Sequence, residues 1–84
     1  MEIEEYVKGA LENDQIWEEE IPVSVFEEEF NLEWEEIKTR LDSVRVLWMG
    51  QMYLLKDLYK ISVDDALGVT ITFDKPKYTT AGIL

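Results

Sequence analysis

Carboxylates are the side chains of this chain with the widest potential chemistry. Its 84 residues include 19 Asp and Glu but no His and no Cys. The chain therefore lacks the commonest general base at neutral pH, the cysteine nucleophile and the usual zinc ligands. Carboxylates can still serve as acid–base pairs, bind hard cations or contact basic groups.

The spacing of these carboxylates argues against a catalytic pair. Glu18–Glu20 and Glu27–Glu29 are runs of consecutive residues, which fan around a helix or alternate on a strand and do not converge on one point. None of the three serines, Ser24, Ser43 and Ser62, has a lysine three residues later. The sequence also has no glycine-rich phosphate loop and no EF-hand spacing. We therefore predict that the protein is not an enzyme and has no cofactor and no bound metal ion.

Negative charge is concentrated in the first half of the chain. The net charge is −11, and residues 1–36 hold fourteen acids against the single base Lys8, whereas residues 37–84 hold five acids and seven bases. Solubility alone explains an acidic composition but does not require this segregation. Such a field repels phosphate and attracts basic surfaces. The asymmetry favours a basic protein partner and argues against direct contact with nucleic acid.

The spacing of apolar residues predicts the helices that position these acids. Residues 2–12 form an amphipathic helix, because from Ile3 onwards the apolar residues recur at i, i+3, i+4, i+7 and i+8. Residues 23–43 form two short helices joined at Asn31, a residue that tolerates the left-handed conformation. Ser24 and Glu27 have the spacing of a capping box on the first of them.

The second half of the chain predicts the strands. Residues 45–58 form a hairpin that turns at Gly50-Gln51, although a helix continuing from Leu41 through residues 44–48 is an open alternative. Residues 63–67 form a short helix capped by Ser62, and residues 69–73 form an alternating strand. The tail that follows is weakly patterned. The expected fold is a single α+β domain over residues 1–84, with three main helices and a small antiparallel sheet.

Seven residues resemble the helix-turn-helix core of the winged-helix superfamily. They are Val23, Phe26, Phe30, Asn31, Leu32, Ile37 and Leu41. The resemblance covers about residues 22–55 and implies a winged-helix-like arrangement. It also implies that a short strand within residues 15–21 joins the sheet of the wing, and that the wing is the hairpin at residues 45–58.

Three features depart from the winged-helix pattern. Glu27 stands where the family has a small residue packed between the helices. Glu33 replaces the usual Ser or Thr cap, and the first turn of the DNA-reading helix carries Glu33, Glu35 and Glu36 in place of basic or amide side chains. These departures remove the positive charge on which DNA affinity depends.

We therefore predict a non-enzymatic, acidic protein-binding module, with a DNA mimic or a small phage-type inhibitor of a nucleic-acid-handling protein as its specific form. The residues predicted to contact the partner are acids from both runs and two aromatic anchors: Glu18, Glu19, Glu20, Glu28, Glu29, Glu33, Glu35, Glu36, Trp17 and Trp48. One alternative is a winged-helix transcription regulator, which requires a continuous basic surface on Lys38, Arg40 and the wing. Another is an immunity protein or antitoxin that neutralises a basic toxin by the same electrostatics.

Location and assembly are predicted from what the sequence carries and lacks. No apolar run is long enough to cross a membrane, and the acidic opening MEIEEY does not fit a signal peptide. The absence of Cys fits a reducing compartment. We expect a cytoplasmic protein, in the host cell if viral, that is a monomer or homodimer.

Overall fold

Three helices and two antiparallel sheets make up residues 1–76, the part of the chain that the computed structural model describes. The prediction of an α+β fold is confirmed. The elements in chain order are α1 (Ile3–Glu12), β1 (Ile21–Pro22), α2 (Val23–Phe30), α3 (Trp34–Asp42), β2 (Arg45–Trp48), β3 (Gln51–Leu54), a 3₁₀ turn (Leu55–Asp57), β4 (Tyr59–Asp64) and β5 (Gly68–Phe73). The predicted tail, residues 78–84, lies outside the described residues.

Apolar periodicity accounts for the core. Helix α1 buries the stripe that its spacing predicts except for Tyr6, which is 39% exposed, and α2 and α3 bury Phe26 and Leu41 against it. Strand β5 contributes Ile71 and Phe73, both fully buried. The helices thus cover one side of β5, and this cluster fixes the position of every acidic segment.

The resemblance implied that β1 joins the hairpin that follows Val44, but β1 does not pair with that hairpin. It pairs with β5 in a three-stranded sheet of order β1-β5-β4, with Ile21 opposite Ile71. Strands β2 and β3 form a separate sheet. Side chains of α1 cover the outer edge of β2, so β1 could not pair there.

The residues at 45–48, for which helix and strand were both open, form strand β2. Its hairpin turns at Met49 and Gly50, one residue earlier than predicted, and both have positive φ, 51° and 82°. A two-residue hairpin loop of type I′ has positive φ at both positions, and Gly50 adopts its own without a steric cost.

An ion pair on α1 covers the edge of β2. Lys8 Nζ lies 2.8 Å from Glu12 Oε2 and donates to the carbonyl oxygen of Arg45 at 2.9 Å. The Glu12 carboxylate accepts the backbone N–H of Leu47 at 2.7 Å. These bonds, to Lys8 first and to Leu47 second, lower the pKa of Glu12. The two side chains therefore replace a neighbouring strand at this edge.

We expect Glu12→Gln to lose about 1 kcal/mol of folding free energy at pH 7, the typical contribution of a charge-assisted hydrogen bond near the surface. Because the folded pKa of Glu12 is below the unfolded one, its contribution is complete above about pH 4.3 and is lost as the pH falls through the folded value. Urea denaturation at pH 7 and pH 3 measures this. The difference between wild type and variant should shrink at pH 3, and an equal difference at both values would contradict it.

Residues 63–67 do not form the predicted helix. Ser62 lies within β4, and Asp64 caps a hairpin turn in which its Oδ1 accepts the N–H groups of Ala66 and Leu67 at 2.8 and 2.9 Å. Gly68 completes the turn with φ 75°. The acid does accept backbone N–H groups, as a helix cap does, but the six residue pairs of β4 with β5 outweigh one short helical turn. These N–H groups also lower the pKa of Asp64.

Candidate partner-binding surface

The acids predicted to contact a partner fall into two groups at opposite ends of α2. Glu18–Glu20 lie in the loop that leads into β1, and the remainder surround the turn between α2 and α3. The eight residues of α2 span about 12 Å, at 1.5 Å per residue. We call the second group the acidic corner; its members, all exposed, are Glu28, Glu29, Glu33, Glu35 and Glu36.

The turn that builds the acidic corner is held by Asn31 and Glu27. Asn31 is left-handed, with φ 54° and ψ 50°, as its residue type predicted. The predicted capping box of Ser24 and Glu27 is wrong, because the N-cap of α2 is Pro22 and no side chain caps this end of the helix. Glu27 instead accepts the backbone N–H of Trp34 at 3.1 Å. It supplies the capping bond that Glu33, at the N-terminus of α3, does not make.

Ion pairs divide the acidic corner into two parts. Glu35 lies 3.4 Å from Lys38 Nζ, and Glu36 lies 3.0 Å from the guanidinium of Arg40. Among the described residues, the other three carboxylates of the corner form no ion pair within 4 Å. The unpaired charge of the corner therefore belongs to Glu28, Glu29 and Glu33.

The two basic side chains of α3 are neutralised within the chain. Arg40 contacts Glu2 at 2.7 Å and Glu4 at 3.5 Å as well as Glu36, so three carboxylates surround one guanidinium. Hydrogen bonds to Glu36 and then Glu2 raise the pKa of Arg40. Lys38 is paired and also lies over the ring of Trp34, 5.5 Å from its centroid. The exposed side of α3 therefore does not carry free positive charge.

Two acids of the corner lie where the helix dipole opposes them. Glu28 and Glu29 occupy the last turn of α2, which holds no basic residue. The C-terminal end of a helix carries partial negative charge, and a nearby anion costs about 0.3–1 kcal/mol. Nothing in the described part of the chain offsets this cost by an ion pair.

Trp17 is not the exposed anchor that its glutamate-rich neighbourhood suggested. Only 8% of its surface is exposed, and its Nε1 donates to the carbonyl oxygen of Leu11 at 2.9 Å. Trp48 is half-buried and packs on it, with ring centroids 5.1 Å apart. The ammonium of Lys75 lies 5.5 Å from the Trp48 centroid and covers part of the remaining face. Both rings thus serve the core.

Backbone conformation explains why the sequence was misleading at Trp17. Asp14, Ile16 and Glu18 all have positive φ, an uncommon conformation for a β-branched residue such as Ile16. This alternation turns the chain so that Trp17 points inward and the N–H of Glu18 donates to the carbonyl oxygen of Phe73 at 2.7 Å. Residue type alone gave no signal of this turn.

Sequence reasoning missed the apolar side chains on the hairpins. Leu47 and Met52 face each other across β2 and β3 with 50% and 61% exposure, and Val63 faces Val69 across β4 and β5 with 80% and 41%. The alternation of β4 and β5 was the signal for Val63 and Val69, because it places every second residue on one face. In β2 and β3 the signal was three consecutive apolar residues, which cannot all lie on the buried face.

Comparison with protein-family models, curated proteins and solved structures finds no match for this chain. Within residues 1–76, no helix is both long and apolar enough to cross a membrane. In the same range, no group of three or more acidic side chains is placed to hold a metal ion.

Proposed function

We propose that this chain is a non-enzymatic protein-binding module whose acidic corner binds a basic surface on a protein that handles nucleic acid. In this role it acts as a DNA mimic or a small inhibitor. The observation that carries the proposal is that, among the described residues, Glu28, Glu29 and Glu33 form no ion pair. The nearby bases Lys38 and Arg40 are neutralised by other carboxylates.

The helix dipole supports this reading over solubility alone. Charge for solubility can be placed anywhere on the surface, and the N-terminal ends of helices accept acids at no cost. This chain instead keeps Glu28 and Glu29 at the C-terminal end of α2. Sites where a sequence breaks a local rule are expected to be functional.

Direct DNA binding through α3 has less support. A regulator needs Lys and Arg free to neutralise phosphates. Arg40 is held by three carboxylates and Lys38 by Glu35, so the basic surface on which the regulator depends does not form on α3. The immunity-protein alternative uses the same acidic corner and differs only in the identity of the partner.

The winged-helix resemblance belongs to the proposal in a revised form. The hairpin that β1 joins is β4–β5, which follows α3 after the insertion of β2–β3. If the resemblance holds, β4–β5 takes the place of the wing. Its turn contains Asp64 and Asp65 and no base, which again fits an acidic module.

Charge-matched bait variants test the proposal. Glu28→Gln with Glu29→Gln removes two charges from the corner, whereas Glu5→Gln with Asp57→Gln removes two exposed charges elsewhere, so both variants go from −11 to −9. Each is used for affinity capture from a lysate of the source organism at 50 and 300 mM salt. We expect one basic nucleic-acid-handling protein to be retained by wild type and by the control, to be lost from the corner variant, and to elute as salt rises.

Two outcomes would contradict the proposal. Equal capture by all three baits would show that the corner is not the contact. Retention of a duplex DNA by the purified chain, with no protein present, would favour the regulator instead.

A further inference from the structure

The outer edge of β4 is open among the described residues. Strand β4 is the outermost strand of the three-stranded sheet. Its inner edge pairs with β5, and the other edge of β5 pairs with β1. The edge of β2 is covered by Lys8 and Glu12, but no described side chain or backbone group bonds to the edge of β4. Unpaired edges of this kind pair readily with another strand.

The phase of the β4–β5 ladder shows which groups are free. The N–H of Asp74 donates to the carbonyl oxygen of Leu58 at 2.7 Å, which extends the register of the ladder by one pair. Antiparallel pairs alternate between hydrogen-bonded and non-hydrogen-bonded. Even-numbered residues of β4 therefore bond to β5. Tyr59, Ile61 and Val63 point their N–H and C=O groups outward.

One face of β4 is apolar, the other carries Lys60, Ser62 and Asp64, and the charges of the strand cancel. Val63 is 80% exposed and Ile61 41%, and both lie on the face that Val69 shares. Residues 59–64 carry one base, Lys60, and one acid, Asp64. An edge strand with little charge and exposed β-branched residues is poorly protected against pairing.

We propose that a second copy of this chain pairs with β4 in antiparallel register about Ser62, joining two three-stranded sheets into one. In this register Lys60 lies opposite Asp64 of the second copy, and Ile61 lies opposite its Val63. The outward groups of Ile61 and Val63 then meet as hydrogen-bonded pairs, and Ser62 faces its own copy in a non-hydrogen-bonded pair.

The distribution of charge favours a second copy of this chain as the strand that pairs with β4. Most of the surface repels another copy, since residues 1–36 alone hold fourteen acids and one base. The β4 edge is self-complementary, because two-fold symmetry sets each base opposite an acid and each apolar residue opposite another. Strand β3 is a second open edge, but Gln51–Leu54 has four residues and no charge to fix a register.

Mass measured against concentration and salt tests dimerisation. Sedimentation equilibrium of the full chain should move from 9.9 kDa towards about twice that mass as concentration rises to the millimolar range. Salt should favour the dimer, because it screens repulsion between two chains of charge −11. Binding to a basic partner is expected to weaken with salt, so failure of this inference is distinct from failure of the proposed function.

Single cysteines test the register in a chain that has none of its own. Ser62→Cys places two thiols across a non-hydrogen-bonded pair with Cα atoms about 4.5 Å apart, within the range of a disulfide. Lys60→Cys is the matched control on the same face, about 14 Å from its own copy at 3.4 Å per residue. Under mild oxidation Ser62→Cys should cross-link at least tenfold faster than Lys60→Cys. Equal rates would overturn the register.

Proline scanning tests the edge. Val63→Pro removes an outward N–H and leaves the β4–β5 ladder complete, a position where edge strands tolerate proline. Met52→Pro does the same to the open edge of β3. We expect Val63→Pro to be a folded monomer and Met52→Pro to dimerise as wild type does. A dimer that survives Val63→Pro overturns the inference. So does a monomeric wild type whose Ile61 and Val63 amides resist hydrogen exchange, since another part of the same chain would then cover the edge.

Discussion

Replacing Trp17 by alanine should destabilise this protein by about 3–5 kcal/mol, the range found when a large buried side chain is truncated. A domain of 84 residues has a total stability of about 4–13 kcal/mol, so a loss of this size would be a large fraction of it. The ring is 8% exposed, packs on Trp48 and bonds to the carbonyl oxygen of Leu11. Trp17 also forms a bridge with Phe73, which ties the loop after α1 to the sheet.

Two companion substitutions separate packing from the hydrogen bond. Trp17→Phe keeps much of the ring but removes the indole donor to the Leu11 carbonyl oxygen, which still accepts the N–H of Asp14 at 3.0 Å, so it should cost about 0.5–1.5 kcal/mol. Trp48→Ala removes a half-buried ring and should cost less than Trp17→Ala. Urea denaturation followed by circular dichroism gives all three free energies. An unchanged midpoint for Trp17→Ala would instead fit the exposed anchor that the sequence suggested.

The parts of the fold that could be predicted are those where one local rule decides. The 3.6-residue period of α1 and the alternation of β5 each place their apolar residues on one face, and both elements are present with nearly the predicted bounds. The left-handed turn at Asn31 also follows from residue type. In each case the local preference and the packing agree.

The errors occurred where two structures share one local signal. Ser62 and the acids after it have the residue types of a helix start, but Asp64 accepts the N–H groups two and three residues on in a hairpin turn, a pattern that helix caps share. Only the pairing of β4 with β5 decides between them. The partner of β1 is likewise a long-range contact, the pairing of Ile21 with Ile71 of β5. Neither contact can be recognised from the residues of one short stretch of sequence.

The candidate site was predictable in residue type but not in pairing. The sequence shows the glutamates of the acidic corner, but it does not show that Arg40 reaches back 36 and 38 positions to Glu4 and Glu2. That contact removes positive charge from α3 and makes the electrostatic contrast sharper than composition indicated. Charge counting gave the sign of the field, and the fold decided which charges are free.

Acidic residues in this chain also hold the backbone in place. Glu12 bonds to β2, Glu27 caps α3, and Asp64 caps the turn between β4 and β5. Each accepts a backbone N–H that would otherwise lack a partner in the described structure. Acidity therefore has two uses here. Within the described residues, Glu28 and Glu29 serve neither the backbone nor an ion pair, and they differ from other such acids, for example Glu5 and Asp57, because they lie in the last turn of an α-helix that holds no basic residue there.

Reversing the charge at these two positions should raise stability and abolish partner binding. Glu28→Lys with Glu29→Lys replaces two unfavourable contacts with the dipole of α2 by two favourable ones, which should add about 1–2 kcal/mol. Bringing like charges together across an interface costs several kcal/mol, which corresponds to more than a 100-fold loss of affinity for a basic partner. Thermal denaturation and titration with the captured partner measure the two effects.

The matched control is Glu5→Lys with Asp57→Lys, which makes the same change of four charge units, from −11 to −7. Glu5 lies in the first turn of α1, where a base opposes the dipole, so this variant relieves the net charge without the local gain. If both variants gain equal stability, the cause is relief of the repulsion due to the net charge. The location of Glu28 and Glu29 at the end of α2 then has no specific effect on stability. If only the corner variant becomes more stable while it loses the partner, these acids are retained at a cost to folding, as binding residues are.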